Sequence, residues 1–138
     1  MRYNPYSDAE ARNIYVCEAN LDAVDGFYRR SSKGAVALIN SCLTEAGKRC
    51  ALTHELMHDE YTVGITTRAR TFLEKLYRAK HEMFIDRKTA ETLITKADLI
   101  AYLKNNPEAE LWDIAEFFCV TERMVRIRVE LFKNEGGL

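Results

Sequence analysis

Thr53-His54-Glu55-Leu56-Met57-His58 is the stretch that decides how this chain is read. It has the H-E-x-x-H form and lies in a segment with helical pattern, Glu45 to His58, for which Thr44 is a suitable N-cap. Residues at i and i+4 of a helix differ by only about 40° around the axis and about 6 Å along it. Two imidazoles at that spacing can grip one zinc ion from a single face. The intervening Glu55 then points toward water activated by the metal, whose proton it can take as general base. Behind the histidines runs a stripe of small residues, Gly47 and Ala51, that leaves room for close packing. The plain alternative is a helix whose two histidines are solvated or satisfied in a core. Two of the chain's three histidines fall in the motif, which favours the metal.

A catalytic zinc needs a third protein ligand and an open fourth position. Downstream, His81, Glu82 and Asp86 are the candidates. Glu82, Ile85, Asp86, Thr89 and Leu93 recur at helical spacing, so two carboxylates interrupt an otherwise apolar stripe. Carboxylates on such a stripe call for a cation or a donor, because burying them unpartnered is costly. Glu82 as ligand, with Asp86 orienting a ligand histidine, meets that demand; an ordinary charged surface helix is the competing reading. His81 lies about 100° off this face and is the weaker ligand candidate.

Outward from this centre, the pattern is mostly helical. Ser7-Asp8-Ala9-Glu10 has the form of a capping box and predicts a helix to about Val24. Two β-type stretches, Phe27 to Arg30 and Ala35 to Ile39, flank a hairpin-like Ser31-Ser32-Lys33-Gly34. Asp59 to Thr67 reads as a loop, and Arg68 to Ile94 as one helix or two. Thr95-Lys96-Ala97-Asp98 predicts another helix start, ending near Asn105-Asn106-Pro107. Helices over Glu110 to Phe118 and Glu122 to Lys133 follow. Helices with one small antiparallel hairpin make the expected class α+β, mainly helical.

At 138 residues the chain is expected to form a single domain, 1–138. Twenty Lys and Arg against twenty-one Asp and Glu give a net charge of −1, which excludes a strongly basic binder held by phosphate contacts. No apolar run approaches the roughly 18 residues of a membrane span, and the N-terminus lacks an apolar signal core, so a cytoplasmic location is expected. Cys17, Cys42, Cys50 and Cys119 form no C-x-x-C pair and are expected to be small buried thiols.

The ordered set of motifs resembles a known family. Gly26-Phe27-Tyr28, Gly34 to Asn40, Thr53 to His58, and then Glu82-x-x-Ile85-Asp86-x-x-Thr89-Ala90-x-x-Leu93-Ile94 follow the pattern of the ImmA/IrrE metallo-endopeptidases of phages and integrative elements. The likeness covers roughly residues 20–132, including Ile114 to Thr121 and Met124 to Arg128. It implies a zincin-like domain in which His54, His58 and Glu82 bind Zn²⁺ and Glu55 is the base. It also implies a protein substrate, a helix-turn-helix repressor whose cleavage relieves repression of the element. Met57 departs from the family's Gly, and Ile85 and Thr89 depart from its Ala. Bulk at Met57 is expected to narrow the space beside the zinc.

Leu111 to Phe132 also has the look of a helix-turn-helix, with Arg123, Arg126 and Arg128 on the second helix. The absence of a turn glycine and of net positive charge favours core packing over direct nucleic-acid binding, with Trp112, Ile114, Ala115, Phe117 and Phe118 as packing partners. Tyr61 and Tyr77 are candidate oxyanion donors, although a core position is expected for each. Arg68, Arg70, Lys75 and Arg78 are expected to form a solvated face. The functional alternative is a non-catalytic regulator that binds a repressor or DNA and acts by occupancy.

Overall fold

The computed structural model describes residues 2–62 and 71–136. Helix α1 (Pro5–Ala11) is capped by the Asn4 side chain, which accepts from the amides of Tyr6 and Ser7, and Pro5 occupies its first turn. The predicted helix from Ser7 to Val24 is therefore wrong at both ends. Asn13 takes a left-handed conformation (φ 57°) and turns the chain into strand β1 (Ile14–Ala19). Strands β2 (Gly26–Ser31) and β3 (Gly34–Asn40) form the expected hairpin. β3 inserts between the other two, antiparallel to β2 and parallel to β1, so the sheet is mixed and β2 lies at an edge. Ile14-Tyr15-Val16 is rich in β-branched and aromatic residues that favour strands, and pairing of Ile14–Ala19 with Ala35–Asn40 satisfies its backbone.

One face of the sheet packs on helix α2 (Glu45–Tyr61). Ile14, Ala35, Ala37 and Ile39 meet Ala51, Leu52 and Leu56, with Ile85 contributed by helix α3 (Phe72–Leu93). Thr44 caps α2 as expected, and Thr71 with Glu74 forms a capping box on α3. α3 is a single helix over its described length; the expectations for Val63 to Thr67 and for Arg68 to Arg70 fall outside the described residues.

Helices α4 (Lys96–Asn105), α5 (Leu111–Phe118) and α6 (Glu122–Asn134) enclose a second cluster with the C-terminal half of α3, including Leu93, Leu99, Phe118 and Val125. Cys119 ends α5 in a left-handed conformation (φ 53°), the geometry that a turn glycine adopts most readily. Buried Arg128 donates from Nε to the Ile94 carbonyl at 2.7 Å, joining α6 to the end of α3. The packing expectation for α5 holds for Ile114, Ala115 and Phe118, but Trp112 is 54% exposed and Phe117 44%. These two sit on the solvent side of an amphipathic helix. Of the cysteines only Cys50 is buried, Cys17 and Cys119 are partly covered, and Cys42 is exposed at the turn before α2. Among the described residues, no helix is long and apolar enough to cross a membrane.

Candidate active site

α2 runs through the middle of the molecule and buries most of its circumference. His54 and His58 emerge on the side facing α3, as their spacing requires. Their Nε2 atoms are 3.2 Å apart. Glu82 on α3 reaches both, with Oε2 at 3.2 Å from His54 Nε2 and Oε1 at 3.1 Å from His58 Nε2. Two donors on a tetrahedral zinc with bonds of about 2.0–2.1 Å lie about 3.3 Å apart. The three residues thus present nitrogen and oxygen donors at the edge lengths of a half-built tetrahedron, and they could hold a metal ion. His81 is not part of this group.

Both imidazoles are also held from behind. His54 Nδ1 meets Asp86 Oδ1 at 3.1 Å, while His58 Nδ1 meets the Thr62 hydroxyl at 2.7 Å. Such partners fix the ring orientation and leave each Nε2 aimed at the shared centre. The Thr62 hydroxyl in turn lies 2.9 Å from His81 Nε2, placing His81 one bond behind His58. Thr62 follows His58 by four residues and so shares its helix face, a signal the sequence contained.

Glu55 is only 8% exposed, at the junction of the groove with β2. Burial raises its carboxyl above the ordinary value, partly opposed by the charges of His54 and His58. A carboxylate so shifted is better matched to taking up a proton near neutral pH. Burial disfavours charging of His54, yet the hydrogen bonds to Asp86 and Glu82 prevail and push its pKa up to about 9 in the metal-free protein. Glu82 is held well below the usual carboxylate range by hydrogen bonds from the same two histidines.

The groove has two halves, of about 730 and 620 Å³, that meet at His54, Glu55 and Glu82. β2, Asp59, Arg78 and His81 line the first half, whereas Asp25, Thr121, Arg123 and Met124 line the second. Met57 lines neither. It is 4% exposed and packs in the sheet-facing core with its sulfur 3.8 Å from the Thr92 hydroxyl, so its bulk does not narrow the space beside the site. Tyr61 and Tyr77 are 37% and 70% exposed rather than core residues, and neither lines the groove. The tyrosine in the groove is Tyr28, whose hydroxyl is bonded to Asp59 beside Arg30. Lys75 and Arg78 are exposed, as expected of a solvated face. Arg123 bonds Asp86, Arg126 approaches Glu122 and Arg128 is buried, so each arginine of the helix-turn-helix look-alike has an intramolecular role.

A groove crossing paired histidines and a buried carboxylate, on an α+β scaffold, is an arrangement that the metallopeptidases as a class use. Within that class, the family model described as the IrrE N-terminal-like domain (Peptidase M78) matches residues 9–130, and the chain belongs to this ImmA/IrrE family. The family supports a metallopeptidase-type activity on protein and a role for a metal. No curated protein and no solved structure matches the chain.

Proposed function

We propose that this chain is a zinc-dependent endopeptidase whose substrate is a helix-turn-helix repressor of a phage or integrative element. In this reading His54, His58 and Glu82 hold the ion, Glu55 is the general base and acid, and Asp86 orients His54. The observation that carries it is the convergence of two Nε2 atoms and one carboxylate at 3.1–3.2 Å, beside a buried glutamate. When bound, zinc supplies a Lewis acid that polarises a carbonyl and makes water acidic near neutral pH. Glu55 takes the proton of the attacking water and returns it to the leaving amine, a transfer favoured by its raised pKa. Thr62 and Asp86 keep the two rings from turning during these steps. The groove on either side of Glu55 has room for an extended peptide. Cleavage of the repressor is the finer part of the proposal and rests on what the family resemblance implies.

Metal analysis of the purified protein is expected to give about one zinc per chain, reduced in His54→Ala and Glu82→Ala. Glu55→Gln is expected to retain zinc and lose cleavage of a repressor that the wild type cleaves. If Glu55→Gln relieves repression as well as the wild type does, the protein acts by occupancy and the hydrolytic mechanism is wrong.

A further inference from the structure

The α5–α6 pair is built into the wall of the groove. The Thr121 amide points at the sulfur of Cys50 at 3.4 Å, one helical turn before His54 on α2. Arg49 Nε donates to the Cys119 carbonyl at 3.1 Å, and Arg128 fixes the middle of α6 to the end of α3. The first turn of α6 is therefore held against both helices that carry the site. From that turn Arg123 Nη2 reaches Asp86 Oδ2 at 2.8 Å, while the other oxygen of the same carboxylate faces His54 Nδ1 at 3.1 Å. A carboxylate with one partner can rotate about its last torsion; with a partner on each oxygen it is clamped.

We propose that Arg123 is a positioning residue for the metal site: it locks Asp86, and through Asp86 it keeps the His54 ring aimed at the centre shared with His58 and Glu82. The proposal rests on the reading of His54 as a metal ligand. Arg123 lines the groove but lies outside the His54, His58 and Glu82 group, and its side chain is 66% accessible. Its own helix offers Glu122, but that residue approaches Arg126 instead. The arm of Arg123 crosses to α3 instead, which assigns the helix-turn-helix look-alike a role at the candidate active site.

The test is zinc affinity of the full chain by competition with a chromophoric chelator, which needs no knowledge of the peptide substrate. Arg123→Ala is expected to bind zinc about tenfold more weakly, at the low end for partners behind a ligand. Arg123→Lys is expected to recover part of the loss, since an ammonium can reach one carboxylate oxygen. In an Asp86→Ala background, Arg123→Ala is expected to have no further effect. Melting of the metal-free variants controls for folding, and Arg123→Gln replaces Arg123→Ala if the latter is unstable. Wild-type affinity in the folded alanine or glutamine variant overturns the proposal, as does an undiminished loss in the Asp86→Ala background. Undiminished affinity in His54→Ala instead overturns the metal-ligand reading itself.

Discussion

Glu55 sits where a single methyl group would disturb it. A Cβ built on Gly26 would lie 3.3 Å from Glu55 Cγ, 3.3 Å from its Oε1 and 3.3 Å from the Leu38 carbonyl. Contacts this tight require the neighbours to give by a few tenths of an ångström, and the Glu55 side chain yields more readily than the paired backbone of β3. Gly26→Ala is expected to retain zinc and KM but to lower kcat by about tenfold or more, because small displacements of a reacting group are costly. Single-turnover kinetics with metal content measured in parallel would check this. A wild-type kcat would show that Glu55 tolerates the shift.

With His54 as a metal ligand, as proposed, metal binding is coupled to protons. The His54 pKa of about 9 in the metal-free protein means its ring carries a proton at neutral pH that must leave when a metal binds. Zinc affinity is therefore expected to rise with pH up to about 9, with proton release visible as a buffer-dependent binding enthalpy. The raised pKa has the opposite consequence for the metal-free fold. Its stabilising contribution is complete below the unfolded value of about 6.5 and is lost as pH rises through about 9. Melting temperatures of the chelator-treated protein between those limits would show the decline.

At the scale of elements, the ends of helices carry much of the local information. Thr44, Thr71, Thr95 and Thr121 each cap a helix by accepting from an amide three residues on. Thr44→Ala removes the cap of the helix that bears both histidines and is expected to cost about 1 kcal/mol in urea unfolding. At the end of α5 the chain makes the converse choice. Cys119 holds a left-handed conformation (φ 53°) that glycine adopts without strain, and its carbonyl, not its side chain, receives Arg49. Cys119→Gly is expected to stabilise the protein by about 0.5 kcal/mol, with a higher urea midpoint as the readout. These caps were visible in the sequence at Thr44 and Thr95. They were missed for α1, because Ser7 imitates a cap that Asn4 actually supplies.

Across the whole molecule, Asp59 ties together three parts that the sequence keeps far apart. Its carboxylate takes Arg30 Nη2 at 2.6 Å, Arg12 Nη1 at 3.4 Å and the Tyr28 hydroxyl, joining α1, β2 and the end of α2. Burial acts to raise its pKa, but hydrogen bonds from Tyr28 and Arg30 prevail and hold it below the ordinary value. A carboxyl depressed in the folded state contributes stability above its unfolded pKa and loses it as pH falls through the folded one. Asp59→Asn is therefore expected to lower stability at pH 7 by about 1–3 kcal/mol while making it less dependent on pH in the acidic range. Urea titrations at pH 7 and pH 3 would separate the two effects.

The sequence by itself determined the helix bearing His54 and His58, the stripe of Glu82 and Asp86, the β2–β3 hairpin and the approximate bounds of α4 to α6. These features rest on neighbours within about four residues, where helical spacing, caps and turns act directly. What only the tertiary structure decided lies at longer range. Ile14–Ala19, whose Ile, Tyr and Val favour extended backbone, pairs at six positions with a strand some twenty residues away, a partner that local pattern does not name. Met57 turned into the core because Thr92 and the sheet-facing cluster receive it there. Arg123 reached Asp86 because Arg128 and Thr121 dock α6 against two other helices. Local pattern fixes which faces are apolar and where helices begin. Only packing decides which face meets which, and so which charge finds which partner.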